Sequence, residues 1–222
     1  MKQLALVSLL GSILALVVSA CHFAGPGVQG SGVRKSEKRE LPAFKSIESE
    51  GAYQVAVNCQ KPQSFEIEGD DNILPLINTE VRDGVLYVKS PKPYHSSKPV
   101  SLAIALPDLE SIRSNGAGQF QITDLKNENF EIHSSGAASF TAAGQTKSVK
   151  IESSGVGRID TNNLRAETAE VTVSGAATVD VYGSERLDVN VSGVGRVTYS
   201  GNPKTVNKNV SGVGSVSQKE SQ

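Results

Sequence analysis

Asp160 and Asp180 are the residues whose type and spacing come nearest to catalysis. Each occupies the same place in a sequence unit that recurs at about that interval, so stacking of the units would bring them together. At a strand spacing of ~4.8 Å their carboxylates approach the ~5–5.5 Å separation by which retaining glycosidases work. Arg158 and Arg196 share the same outward face, and either guanidinium suits an acidic sugar. The same arginines also sit diagonally to two stacked like charges, where they offset them. A solvated, self-compensating charge ladder is therefore the simpler reading. No aromatic platform accompanies the pair, which argues against a sugar-cleaving subsite.

Other chemistry-bearing types are sparse. Glu131, Lys150, Glu170 and Asp188 form one outward column of the repeat, and Arg113, His133, Glu152, Thr172, Asn190 and Asn209 form the next. His133 and Glu152 can pair across neighbouring units, but one histidine and one carboxylate make a poor metal site, so no metal is expected. Gly155 to Asp160 departs from a calcium-binding nonapeptide repeat in period, and Asp160 has no consistent counterpart. None of the many serines stands in a Gly-x-Ser-x-Gly elbow, and three histidines offer few bases. Phosphate loops, dinucleotide fingerprints and metalloprotease helices are missing, so no cofactor and no enzymatic activity are expected. A net charge of −1 over 222 residues leaves no electrostatic footprint for a nucleic acid.

The elements that must position these residues follow from an internal repeat. A glycine-centred signature recurs at Asn115-Gly116-Ala117-Gly118, Ser135-Gly136-Ala137-Ala138, Ser154-Gly155-Val156-Gly157, Ser174-Gly175-Ala176-Ala177, Ser192-Gly193-Val194-Gly195 and Ser211-Gly212-Val213-Gly214. Its first glycines are 20, 19, 20, 18 and 19 residues apart. Aligned on that glycine, Phe120, Phe140, Ile159, Val179, Val197 and Val216 make one apolar column. Ile112, Ile132, Ile151, Val171 and Val189 make another, which Lys208 closes. Polar residues flank both, and polar–apolar–polar alternation over β-branched residues is strand periodicity.

A unit of this length with two short strands cannot bury its apolar side alone and must stack on copies of itself. The expected fold is all-β: a parallel β-helix, or β-solenoid, with ~19-residue rungs and two short strands per rung. The corner glycine is expected at positive φ. A second turn is expected at Asp124, Gly144, Asn163, Gly183 and Gly201, and Val156 and Val194 are expected to interleave with Ala138 and Ala177. Residues 41–108 read as irregular N-terminal rungs, with an insert at Asp70–Ile77 and a loop at Pro91–Pro99. Residues 109–217 read as the regular array, its last rung distorted into a cap by Lys208, and 219–222 as a polar tail.

Residues 1–20 have the layout of a secretory signal: a positive start, the apolar run Leu4–Val18, then small residues before Cys21. A cysteine at that junction matches the lipobox of bacterial lipoproteins, so Cys21 is the expected lipidation site and membrane anchor. His22 follows it where a retention signal would place aspartate, which points to the outer membrane. The Gly- and Ser-rich, mixed-charge stretch 21–40 reads as a flexible tether. Cys59 is then the only thiol left and is expected buried and inert.

Leu106-Pro107-Asp108-Leu109, then Ile112 to Gly118, then serial Ser-Gly rungs, resemble the auto-transporter adhesin head GIN domain family over about Phe44 to Ser217. The resemblance implies a bacterial cell-envelope β-helix protein, often a lipoprotein, and implies no particular activity. The expected function is a non-catalytic, adhesin-like binding module for glycans or envelope partners, with Arg158, Asp160, Asp180 and Arg196 as candidate contacts. Two alternatives stand beside it. One is a β-helix polysaccharide hydrolase or lyase using Asp160 and Asp180. The other is a structural or regulatory periplasmic interaction protein.

Overall fold

The computed structural model describes residues 27–219. The signal segment 1–20, Cys21 and residues 220–222 lie outside them. The first strands are β1 (Val28–Gln29), β2 (Arg34–Lys38), β3 (Ser46–Glu50), β4 (Ala52–Asn58) and β5 (Ser64–Asp70). A 3-10 turn at Leu74–Leu76 fills the expected insert and leads to β6 (Asn78–Arg82), β7 (Val85–Lys89), β8 (Tyr94–His95) and β9 (Val100–Ala105). The repeat region supplies β10 (Ser111–Ser114), β11 (Ala117–Ser134), β12 (Ala137–Ser153), β13 (Val156–Val173), β14 (Ala176–Tyr182) and β15 (Arg186–Val191). The array ends with β16 (Val194–Ser200), β17 (Thr205–Val210) and β18 (Val213–Gln218).

These strands stack in parallel as a β-solenoid. One face runs β7–β3–β10 and on through the later halves of β11, β12 and β13 to β15 and β17. The other runs β9–β4, through the early halves of β11 to β13, to β14, β16 and β18. The aligned columns of the repeat become register ladders. Leu86, Ile47, Ile112, Ile132, Ile151, Val171 and Val189 pile up on one face, and Leu102, Val55, Phe120, Phe140, Ile159, Val179 and Val197 on the other; all are buried. Each such side chain contributes ~1.5–3 kcal/mol on leaving water.

Several expectations need correction. In β11, β12 and β13 the second turn is a bend within one strand of 17 or 18 residues, with register shifts between Ile122/Leu125 and Thr141/Ala143. The two strands of a rung remain separate at β3 and β4 and again after β13. The corner glycines 116, 136, 155, 175, 193 and 212 do not adopt positive φ. They are glycine because the rungs pack backbone to backbone: a Cβ on Gly136 would lie 1.8 Å from the Gly116 oxygen. Positive φ occurs at the second corner, at Asp124, Gly144 and Gly201, and at the first only in Gly51 and Gly157. Val156 registers with Ala137 and Ala176, one position off the expected column, and points outward at 56% exposure. Inside that corner Gly157 sits between Ala138 and Ala177.

The ends differ too. The tether expected over 21–40 is partly structured: β1 pairs with β8, and Arg34–Lys38 pairs antiparallel with β5. Its mixed charges are the alternation of an edge strand, with Arg34 Nε 3.1 Å from a Glu68 oxygen. Within 41–108 only β3, β4, β7 and β9 continue the parallel stack, while β5 and β6 run antiparallel and close the N-terminal end. The last rung is not distorted, because Lys208 stays in register with Val189.

Candidate binding faces

Beside the early half of β11 the outer face becomes a groove. Gln54, Gln119 and Ser139 register in one column, and Ala56, Gln121 and Thr141 in the next. Pairing of β9 with β4 adds Ser101 and Ala103 to the floor, and antiparallel β5 raises Glu66 and Glu68 as a wall. The space enclosed is ≈ 600 Å³, within the size range of ligand sites. Arg34 Nε donates to Glu68, and the Ser36 hydroxyl donates to Glu66, so the wall carboxylates are already partnered from behind. A second recess of ≈ 580 Å³ shares Gln54, Gln119 and Ser139 and continues to Ala52, Ala137 and Val156. Amides and hydroxyls repeating at rung spacing can hydrogen-bond an extended polar chain.

The sequence pattern missed this groove because its wall comes from a strand outside the repeat. Gln63–Glu68 alternates as a strand in the sequence, but only antiparallel pairing with β9 places it beside Gln54. That neighbour lies far outside the repeat period and carries no column to align.

Further along the same face, Asp160 and Asp180 are in register on β13 and β14, as the spacing implied. Arg158 bridges them: a guanidinium nitrogen lies 3.7 Å from Asp160 and closer to Asp180. Asp160 also accepts the Asn162 backbone N–H at 3.1 Å. Both carboxylates are thus engaged by one cation, which occupies the space between them where a sugar would have to enter. Arg196 lies in the Arg158 column beyond Thr178 and joins neither carboxylate. The structure brings three of the four candidate contacts together and leaves Arg196 apart.

On the opposite face, His133 is held between carboxylates, Nδ1 2.9 Å from Glu152 and Nε2 3.0 Å from Glu131. Lys150 completes the cluster 2.8 Å from Glu152. Its hydrogen bond, followed by its charge, holds the Glu152 carboxyl below the usual carboxylate range. Among the described residues no three His, Cys, Asp or Glu side chains converge as a metal site. Cys59 is fully buried, and burial, reinforced by Asp108 and Asp124, pushes its thiol up to about 12.

The family model described as "Putative auto-transporter adhesin, head GIN domain" matches residues 43–203. No curated protein matches the chain in sequence. Among solved structures, an adhesin-named protein from Bacteroides fragilis aligns at 24% identity and TM-score 0.72, over 87% of this chain and 100% of that one. Another adhesin-named protein, from Parabacteroides merdae, aligns at 16% identity and TM-score 0.57, over 88% and 100%. A protein from Parabacteroides distasonis described as lipid binding aligns at 16% identity and TM-score 0.50, over 87% and 99%. At these identities the likeness is one of fold.

Proposed function

Since the chain belongs to the auto-transporter adhesin head GIN domain family, we propose that it is a non-catalytic binding module of the bacterial cell envelope, anchored through lipidated Cys21. The groove walled by Glu66 and Glu68 is its candidate contact face for a glycan or an envelope partner. The observation that carries this reading is the groove itself: ≈ 600 Å³ in which amides, hydroxyls and two carboxylates stand beside the apolar Ala56 and Ala103. His133 lies on the other face with both ring nitrogens engaged, so it does not serve the groove as a base. Arg158 across Asp160 and Asp180 also speaks against the hydrolase or lyase alternative.

A glycan array probed with the purified protein tests the module. Signals lost on combining Gln54→Ala with Gln119→Ala support the groove, and an array without signals removes the glycan reading. Incorporation of labelled palmitate into the full chain, abolished by Cys21→Ser with release from membranes, tests the anchor.

A further inference from the structure

The second corner carries a row of side chains that the repeat columns do not anticipate. Because β11, β12 and β13 pass through this corner unbroken, Lys126, Gln145 and Arg165 stand in register on three successive rungs, all exposed. On one side Gln60 extends the row, its amide donating to the Lys126 carbonyl at 3.3 Å. On the other, Tyr182 carries the Arg165 guanidinium 4.4 Å from its ring centroid. Lys126, Gln145, Arg165 and Tyr182 line an open cleft of ≈ 360 Å³, which Glu128, Lys147 and Glu167 border on one side.

Two of the three cations here are uncommitted. In the adjacent outward column Lys147 is taken by Glu128, with Glu167 nearby. Neither Lys126 nor Arg165 reaches a carboxylate within ion-pair distance among the described residues. A guanidinium stacked on a phenol ring is pre-organised, and it keeps its planar N–H fork for a carboxylate. With rungs ~4.8 Å apart, the two cations stand about 10 Å from each other with a neutral amide between them. Two cations so spaced are too few for a nucleic acid, whose charge is far denser. They suit a chain bearing one carboxylate on alternate units.

We propose that this row binds an acidic polysaccharide with a carboxylate on every second sugar. The carboxylates meet Lys126 and Arg165, and Gln145 hydrogen-bonds the neutral sugar between them. The proposal rests on the reading of the solenoid as a glycan-binding module but uses a different face from the groove.

Calorimetric titration of the full chain with hyaluronate, in which glucuronate alternates with a neutral amino sugar, tests it against carboxyl-reduced hyaluronate. The expected result is binding by hyaluronate alone, weakened by salt. Combining Lys126→Gln with Arg165→Gln should weaken it by at least about tenfold, while the groove variant Gln54→Ala with Gln119→Ala leaves it unchanged. Unaltered melting of the Lys126/Arg165 variant shows that the loss is local. Equal binding by the reduced polymer, an unaffected Lys126/Arg165 variant, or no hyaluronate binding would each overturn the proposal. If hyaluronate fails while a neutral glycan binds through the groove, this site falls and the module reading stands. If no glycan of either kind binds, both fall.

Discussion

A Cβ built on Gly175 would lie 2.0 Å from the carbonyl oxygen of Gly155 on the neighbouring rung. That gap is far inside van der Waals contact with backbone, which cannot swing away as a side chain would. Gly175→Ala should therefore destabilise the array by about 3 kcal/mol or more, or unfold the rungs beyond it. Gly84 makes the matching control, with φ +73 and nothing within 4 Å of an added Cβ. Gly84→Ala should cost only the left-handed backbone strain, about 1–2 kcal/mol, and Thr178→Ala on the outer face within about 0.5 kcal/mol. Urea unfolding of the three variants orders them.

Phe120 and Phe140 stack at a centroid distance of 4.5 Å and an interplanar angle of 11° in the middle of one interior ladder. Both are buried, and the next rung supplies the smaller Ile159 in register. Phe140→Ala should cost about 3–5 kcal/mol through the cavity it leaves. Phe140→Ile, which repeats the neighbouring rung's choice, should cost clearly less. If thermal unfolding ranks these two equally, the ladder is not the unit of packing.

How much of this was legible in the sequence depended on what a column can carry. Ile132, Ile151 and Val171 could be aligned by eye because parallel stacking turns a sequence period into a contact. Asp160 and Asp180 align for the same reason, and Arg158 bridges them, whereas Arg196 in the same column does not. Other features leave no such trace. The cause of the corner glycines is one, because close approach between rungs leaves the same residue preference as positive φ. The outward turn of Val156 is another, because its register with Ala137 and Ala176 differs by one residue from the column that bulk alone suggests. The Glu66 and Glu68 wall and the Arg34–Lys38 strand use antiparallel pairing between non-repeating segments, for which the sequence holds no alignment.

Cys59 should be silent to thiol reagents in the folded protein. It is fully buried, its thiol is pushed up to about 12, and only the thiolate is nucleophilic. Labelling of a Cys21→Ser variant with a disulfide reagent should wait for denaturant and then follow the unfolding transition. Prompt labelling in buffer would mean that the strand end at Asn58 opens locally.

Acid should loosen the charged face of the solenoid. Glu152 is held below the usual carboxylate range by the Lys150 hydrogen bond, and Asp188 by hydrogen bonds from Arg186 and then Asn207. A carboxyl depressed on folding contributes stability above its unfolded pKa and loses it as pH falls through the folded value. Melting temperature should therefore hold from neutrality to about pH 4.5, the ordinary glutamate value, and decline below it. Glu152→Gln combined with Asp188→Asn should flatten that decline. Because both side chains are partly exposed, the effect on a melting curve is small, and the comparison needs low salt.

Lys208 bears on how the stack ends. In register it continues the ladder Ile132, Ile151, Val171 and Val189, so an aliphatic residue would complete the column. Its ammonium instead lies 4.8 Å from the Tyr199 ring centroid and 3.5 Å from the Val216 carbonyl oxygen, across the open mouth of the interior. Beyond it β17 and β18 each pair on one side only, and Val210 and Val213 are exposed. Unpaired strand edges next to apolar side chains invite another chain, and an inward-pointing lysine is a recognised defence. At the opposite end the antiparallel strand β2 brings Lys35 and Lys38, so a second copy meets positive charge in either orientation. Lys208→Val removes the defence while suiting the column. It should raise thermal stability and drive self-association in sedimentation velocity, whereas Lys208→Arg should sediment like the parent. A Lys208→Val variant that remains as dispersed as the parent at the same concentration would show that the edge is protected by something other than this charge.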